Sequence, residues 1–322
     1  MKLGIFGPGV IAREMAKTIS QMDHVVPYAV ASRSKERAEA FAAEFGFEKS
    51  YGSYQALAED EGVDLVYIAT PHSHHAVQAE MLLGNHRPVL CEKAFTVNAA
   101  QAGNVLALSA EKNVFITEAI WPRYMPMAKL LRELLEDGVI GRPTCMTVNF
   151  GGPLKHIQRM YDPNLAGGAL LDLGVYPLTL ASIAFGDEIE QISTSATLLD
   201  SGVDGMENIC LHYKDGKIAT LLAGFYNEFE NKAVIFGEEG RIEVEGINNY
   251  QSFRVLKPDG TEKALHLAPP QITGYEYEVQ ACYDALQEGR RECPEMPHSE
   301  TLFMMELMDK IRAVWGVRYP FE

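Results

Sequence analysis

The stretch Lys2-Leu3-Gly4-Ile5-Phe6-Gly7-Pro8-Gly9-Val10-Ile11-Ala12 decides the fold. A short apolar run stops at Gly7-Pro8-Gly9, and an amphipathic helical pattern follows over 11–22. The junction spells G-x-G-x-x-A. Gly7 allows the tight turn, Gly9 lets the backbone approach a pyrophosphate, and the small Ala12 lets the helix pack closely on the strand. The helix N-terminus then faces the phosphates. Such a motif alone also fits a mere strand-to-helix turn, but its place at residue 7, inside a βαβ unit, selects the dinucleotide reading. The same placement makes the first apolar run a strand and turn rather than a signal peptide.

Outward from this point, short apolar runs alternate with amphipathic stretches through residue 118. Strand candidates fall at 3–6, 25–30, 65–69, 89–91 and 114–117, and helical patterns at 11–22, 35–45, 54–60, 75–83 and 99–112. Ser34 and Ser53 suit N-cap positions. Strands alternating with helices make parallel βαβ units, and Val, Ile and Leu on both faces are what buried parallel strands carry. After a helix at 125–137, closed by Gly138, the chain turns strand-rich, at 144–150, 192–198, 208–213, 218–225, 233–236, 241–244 and 253–256. Asp215-Gly216, Glu239-Gly240 and Asp259-Gly260 read as turns between strands. One helix at 168–185 interrupts this half, and two more, at 275–288 and 299–314, close the chain. The predicted architecture is α/β. An N-terminal Rossmann doubly wound parallel sheet occupies 1–120, and an α+β substrate-binding and oligomerisation domain with an open, largely antiparallel sheet occupies 121–322. The later strands read as alternating poorly, which leaves one sheet face apolar and in need of a cover. A homodimer or higher homo-oligomer is the expected cover.

Composition bounds the partners. With 322 residues, 47% hydrophobic and 22% charged, the chain can bury a core. Its net charge of −16 repels nucleic acid and anionic lipid, so neither is an expected partner. An anionic cofactor then needs a locally basic pocket. No apolar run reads as the roughly 18–20 residues of a membrane span. Cys91, Cys145, Cys210, Cys282 and Cys293 have wide, irregular spacings, as free thiols in a reducing compartment do. A cytoplasmic protein without zinc is expected.

Four further segments carry chemistry. The second strand runs into Ser32-Arg33-Ser34-Lys35-Glu36-Arg37. An NAD enzyme usually places an acid there for the ribose 2′-hydroxyl. Here the acid is missing, and a hydroxyl and guanidinium groups suited to a phosphate stand instead. The competing reading is a solvated first helical turn, and Lys35 fits it; Arg33 fits less well, because a cation there opposes the helix dipole. Thr70-Pro71-His72-Ser73-His74-His75 follows the strand at 65–69, where ligands of such sheets bind. Its histidines lack a known metal spacing, so no metal is expected, and a plain polar turn is the alternative. Glu92-Lys93-Ala94 ends the next strand. Lys93 either points toward a nicotinamide or pairs with Glu92 on a solvated loop, and the residues alone do not choose. In Gly167-Gly168-Ala169-Leu170-Leu171-Asp172-Leu173-Gly174-Val175-Tyr176-Pro177, Asp172 and Tyr176 are four apart and share a helical face. They are either a core rim or a proton-transfer pair. Gly174 leaves room for something to approach closely, and Pro177 hints at a kink or a local helix start.

Taken in order, the glycine turn, the Thr-Pro…His segment, Glu92-Lys93 and the Gly-Gly…Asp172…Tyr176 helix resemble the glucose–fructose oxidoreductase/inositol dehydrogenase (Gfo/Idh/MocA) family over essentially the whole chain. Tyr176, with Thr117-Glu118-Ala119 and Trp121-Pro122-Arg123, is most similar to the branch of dimeric dihydrodiol dehydrogenases and NADP-dependent xylose dehydrogenases. The resemblance implies an NADP(H)-dependent oxidoreductase that moves a hydride to or from a hydroxyl-bearing carbon of a sugar, polyol or cyclic diol. It implies that Lys93 is the catalytic lysine, Tyr176 the general acid/base and Asp172 the carboxylate beside it. Ser32, Arg33 and Arg37 would hold the 2′-phosphate, and Thr70, Pro71, His75 and Glu92 would line the nicotinamide side together with Lys93. The family writes Glu-Lys-Pro where this chain has Ala94, which leaves Lys93 less rigidly placed. That departure motivates the rival expectation, a cofactor-binding sensor or regulatory protein with weak turnover.

Overall fold

The computed structural model describes residues 1–322. The chain forms two compact units, Met1–Ile120 with Gln271–Met305, and Trp121–Pro270 with Glu306–Glu322. The first is built on a six-stranded parallel sheet of order β3-β2-β1-β4-β5-β6. Its strands are β1 (Lys2–Phe6), β2 (Val26–Ala31), β3 (Lys49–Tyr51), β4 (Leu65–Ile68), β5 (Val89–Glu92) and β6 (Ile116–Ala119). β4, β5 and β6 are buried along their whole length, because helices cover both faces of a parallel sheet. The helices are α1 (Val10–Ile19), α2 (Lys35–Phe45), α3 (Tyr54–Ala58), α4 (His72–Gly84) and α5 (Ala99–Lys112). Ser34 and Ser53 cap α2 and α3 as expected, accepting from the backbone N–H of Arg37 and Ala56.

Residues 271–305 differ from the expected division, since they cluster with the first unit. The Thr273 hydroxyl lies 2.6 Å from that of Thr18 in α1, and the Ile116 N–H of β6 donates to the Arg291 carbonyl at 3.0 Å. α8 (Tyr275–Gln287) buries Val279 and Cys282 completely. A helix with such a face must be covered, and α1 beside it has the matching need.

The second unit holds an eight-stranded sheet of order β14-β13-β12-β11-β7-β10-β9-β8. Only β7 (Pro143–Gly151) and β10 (Ile218–Gly224) pair in parallel. β8 (Ile189–Leu198), β9 (Asp204–Tyr213), β11 (Lys232–Gly237), β12 (Gly240–Glu245), β13 (Ser252–Leu256) and β14 (Glu262–Leu267) complete an otherwise antiparallel sheet. The expectation of an apolar outer face is corrected here. The strands alternate cleanly: Met146, Val148, Ile209, Leu221, Ile235 and Val244 are buried. The opposite face presents Thr147, Asn208, Thr220 and Lys232 to solvent, with Leu222, Val234 and Phe236 half-buried among them. The inner row needs the cover, and α7 (Val175–Phe185) supplies it over β7 and β10. α6 (Pro126–Glu136) packs against α7, and α9 (His298–Trp315) closes the chain.

A second correction concerns length. The stretch Pro163–Phe185, with mean hydropathy 1.5, is long and apolar enough to cross a membrane by length and composition, although no run stood out in the bare sequence. Asp172 and the small residues around it interrupt the run. In the structure 89% of its apolar window is buried, so its surface goes to the core of the second unit.

β3 carries no apolar alternation and is held by side chains instead. Asp60 accepts from Lys49 Nζ at 2.8 Å, the Tyr51 hydroxyl at 2.7 Å and the Gly62 N–H at 2.9 Å. The strand in turn pins the end of β2, where Ser32 N–H donates to the Tyr51 carbonyl at 3.1 Å. Burial alone would raise the Asp60 pKa, but these donors outweigh it and hold the carboxyl at about 2. A depressed carboxylate stabilises the fold fully above its unfolded value near 4 and loses that contribution as pH falls toward 2. Hydrogen bonds to a charged group contribute roughly 1.5–3 kcal/mol. Asp60→Asn should therefore lower stability by about 2 kcal/mol at pH 7, and the gap to the parent should close between pH 4 and pH 2. Urea unfolding across that range checks both.

Candidate active site

In the first unit, the expected cofactor residues converge on the carboxyl ends of β1, β2, β4 and β5. Gly7 has φ +88°, and an added Cβ would collide with Thr70 Cγ2. Both facts demand glycine at that position. Gly9 is extended, and a Cβ there would meet only the Ala69 carbonyl at 3.9 Å. The chain itself therefore does not require glycine at 9, and the bare backbone leaves open space at the start of α1. That helix has no side-chain cap, so its first N–H groups are available to an anion. Ala12 is fully buried between helix and sheet.

At the end of β2, Ser32 is buried and its hydroxyl accepts from Ser34 N–H at 3.2 Å. Arg33 and Arg37 are exposed, and both guanidinium charges act on Tyr54. Burial raises the Tyr54 pKa and the two cations oppose it. Arg33 also acts on His74, whose pKa is lowered first by burial and then by that charge. A neutral tyrosine, a neutral histidine and two guanidinium groups thus stand together where an acid would reject a phosphate. These residues fit a dinucleotide bearing a 2′-phosphate.

Pro71 precedes α4 as its N-cap, and the Thr70 hydroxyl donates to Gln78 Oε1 at 2.7 Å. His75 is fully buried, with Nε2 2.8 Å from the Thr70 carbonyl and Nδ1 2.9 Å from the Ala94 carbonyl. Burial, opposed by these carbonyls, lowers its pKa to about 4. Its ring therefore works inside the protein, tying the loop after β4 to the turn after β5. The Lys93–Ala94 peptide bond in that turn is cis. Glu92 is not on a solvated loop. It is buried and accepts from the Tyr67 hydroxyl, and the Phe95 N–H donates to Glu118 Oε1 at 3.0 Å. Lys93, next in the chain, is half-buried. Glu278 of α8 is fully buried with neither oxygen hydrogen-bonded; burial first and the Glu92 charge second push its pKa far up. A cavity of about 480 Å³ opens at the opposite, amino edge of the sheet, beside Met1, Asp64, Pro88 and Tyr283, and includes none of the candidate residues.

In the second unit, Asp172 lies in a π-helical turn, Leu170–Gly174, and Tyr176 in the first turn of α7 that follows. π turns recur at functional sites. Pro177 falls at the third residue of α7, where the local restart tolerates its missing N–H. Tyr176 is buried, its ring edge-on to Phe150 at 5.2 Å. What approaches Gly174 is the Glu207 carboxyl of β9; a Cβ there would strike Glu207 Oε1. Glu207 is buried with neither oxygen hydrogen-bonded, and burial, then the Asp204 charge, drive its pKa well above the carboxylate range. Asp204 Oδ2 accepts from the Leu170 N–H at 2.6 Å and so anchors the start of the π turn. Arg159 Nη2 donates to both oxygens of Asp172. Neither Arg159 nor Glu207 belongs to a motif that a single sequence would single out.

Comparison with known proteins agrees with this geometry. Residues 1–119 match the family model described as an oxidoreductase family with an NAD-binding Rossmann fold, and 128–243 match the GFO/IDH/MocA C-terminal domain. The chain is 33% identical to the trans-1,2-dihydrobenzene-1,2-diol dehydrogenase of Mus musculus, covering 99% of this chain and 98% of that protein. The Homo sapiens enzyme of the same name is 31% identical over the same shares. Among solved structures, a tyrosine-to-phenylalanine variant of a 3-ketoreductase from Actinomadura kijaniata, in complex with TDP-benzene and NADP, superposes with a TM-score of 0.89 at 26% identity, covering 97% of each chain. With relatives matched from end to end and both domain models satisfied, the chain belongs to the GFO/IDH/MocA oxidoreductase family.

Proposed function

We propose that this oxidoreductase uses NADP(H) and interconverts CH–OH and C=O at a carbon of a sugar, polyol or cyclic diol. The observation that carries the cofactor choice is the end of β2, where buried Ser32 and exposed Arg33 stand in place of an acid. The names of the relatives, diol dehydrogenases and an NADP-bound ketoreductase, support the substrate class. When bound, the nicotinamide supplies or accepts the hydride. The chain's own residues handle the proton. Tyr176 takes the hydroxyl proton in oxidation and returns it in reduction. Lys93 supplies the positive charge that favours the phenolate, since a phenol near pKa 10 is otherwise a poor base at neutral pH. Asp172, held by Arg159, keeps the turn before Tyr176 in place. We place the protein in the cytoplasm, which its five free thiols favour.

Losing a charge-assisted contact costs roughly 1.5–3 kcal/mol. Arg33→Ala should weaken NADP binding by at least about tenfold and leave NAD binding nearly unchanged, as titration calorimetry would show. Equal affinity of the parent for the two cofactors would remove the basis for this choice.

Removing an acid/base group typically slows a reaction by about 10²–10⁴. On a sugar and diol panel, Tyr176→Phe should lose kcat in that range with its NADP affinity intact. Lys93→Ala should lose a comparable amount, and the double variant should be little worse than either single one, because the two act together. Near-normal kcat in Tyr176→Phe would refute the assignment.

We also propose a homodimer through the outer face of the eight-stranded sheet, where half-buried Leu222, Val234 and Phe236 lie within a polar surround. Light scattering at micromolar concentration should give twice the 35.7 kDa of one chain. A mass of one chain would disprove it.

A further inference from the structure

The helix that bears Tyr176 needs something besides its own pattern to fix its rotation. Val175–Phe185 is apolar on nearly every face, so no amphipathic stripe chooses which side meets the sheet. The backbone just before it is tied by two side chains. The Leu170 N–H donates to Asp204 Oδ2 at 2.6 Å, and three residues earlier the Gly167 carbonyl accepts from the Tyr319 hydroxyl at 2.8 Å. Gly167 also donates its N–H to the Asp162 carbonyl at 3.0 Å, and a Cβ on it would strike the carbonyls of Arg159 and Met160. Its position is therefore defined on three sides, and Tyr319 supplies the contact to its carbonyl.

Tyr319 is itself held firmly. Its ring is buried and lies 4.9 Å beneath the Arg312 guanidinium, and its backbone N–H donates to Glu322 Oε2 at 2.8 Å. Arg312 meets the same Glu322 carboxylate through two nitrogens, Nη1 to Oε2 at 3.0 Å and Nη2 to Oε1 at 2.9 Å, and Nη2 also reaches Asp309 Oδ1 at 2.7 Å. Two parallel bonds to one carboxylate fix direction as well as distance. Burial first, and the Asp204 charge second, push the Tyr319 pKa far up, so its hydroxyl stays protonated and donates. Nothing in this seat is needed to close the sheet, yet it ends on a single carbonyl at the entry to the helix.

We propose that Tyr319 is a positioning residue, whose hydroxyl sets the rotation of the helix bearing Tyr176 by holding the Gly167 carbonyl. The proposal rests on the reading of Tyr176 as the acid/base. A helix turns as a rod, so an error at its start is carried to every side chain along it. A misplacement of about 1 Å at a reacting group can cost about a hundredfold in rate.

The test is steady-state kinetics with NADP on cyclohexane-1,2-diol, D-xylose, D-glucose and myo-inositol, for the parent, Tyr319→Phe and Tyr319→Leu. Tyr319→Phe loses only the hydroxyl and keeps the ring beneath Arg312. On the best of these substrates its kcat should fall by about tenfold. Its KM for NADP should be unchanged, because the candidate cofactor residues lie in the other unit. Its solvent deuterium isotope effect on kcat should rise, since proton transfer then takes a larger share of each turnover. Tyr319→Leu removes the ring as well. Its thermal midpoint should drop below that of Tyr319→Phe, while its kcat, measured well below that midpoint, falls no further. A role in stability alone predicts a lowered midpoint with parental kcat and isotope effect in Tyr319→Phe, and that result would overturn the proposal. A kcat that falls in step with the midpoint across the two variants would overturn it too. A parent that binds NADP and turns over none of the four substrates would overturn the functional reading, and this assignment with it.

Discussion

His75 has no exposed surface and a backbone carbonyl at each ring nitrogen, Thr70 at 2.8 Å and Ala94 at 2.9 Å. The loops after β4 and β5 each have hydrogen bonds of their own, Thr70 to Gln78 and Phe95 N–H to Glu118. The His75 imidazole lies between them, within hydrogen-bond distance of a carbonyl from each. Its burial keeps it neutral, so its single N–H donates to one of the two carbonyls at a time, and replacing the ring would leave that buried carbonyl unpaired at a cost of roughly 1–3 kcal/mol. Thr70 also crowds Gly7, where any Cβ would strike its methyl group. A continuous series of contacts therefore runs from the glycine turn through Thr70 and His75 to Ala94, next to Lys93. The phosphate end and the lysine end of the first unit share one rigid support.

The second unit solves a comparable problem with carboxyl groups. Its central helix is apolar nearly all round and cannot be oriented by an amphipathic face. Asp204 sets its start through the Leu170 N–H, Glu207 fits the notch at Gly174, and Arg159 ties Asp172 to the preceding segment. Glu207 neighbours Ala196 and Ala223 on the adjoining strands, so small side chains make room for it. Asp204 has a backbone donor and the Arg312 charge nearby; Glu207 has neither, and of the two it is the one to hold its proton. An un-ionised acid in the notch at Gly174 avoids placing a second negative charge near Asp204.

Much of this was legible in the sequence wherever a local pattern has a single physical cause. The glycine turn, the missing acid after β2, and Asp172 with Tyr176 on one helix were all readable, because spacing alone constrains them. β3 was not readable, since Lys49, Ser50 and Tyr51 have no apolar alternation and are held by Asp60 instead. The attachment of 271–305 to the first unit depends on contacts with α1 and β6, some 175 to 255 residues away in the chain. The π turn also escaped, because an extra residue in a helical turn leaves no signature in hydrophobic period. The outer face of the second sheet was misjudged as apolar. In β8 and β9, threonine, asparagine and cysteine sit at outward positions that read as weakly apolar until the register shows where they point. His75 was legible as a candidate but not in its role, which needs the positions of two carbonyls.

The net charge of −16 makes the choice of an anionic cofactor look unfavourable, and the structure shows why the balance is local. At physiological ionic strength charges are screened beyond about 8 Å, so the distant acidic surface weighs little against groups in contact with the ligand. At the end of β2 those groups are Arg33 and Arg37. Glu36, the acid between them, turns to the Ser34 hydroxyl, 2.7 Å away. Tyr54 and His74 beside them are neutral, the first because burial raises its pKa and the second because burial and Arg33 lower it. Neither neighbour adds a charge of its own, and neither guanidinium has a carboxylate within 4.0 Å to quench it. The acidity of the rest of the molecule repels polyanions at long range, while this corner remains positive at contact distance. Discrimination between a dinucleotide with and without a 2′-phosphate then rests on two side chains rather than on the field of the whole protein.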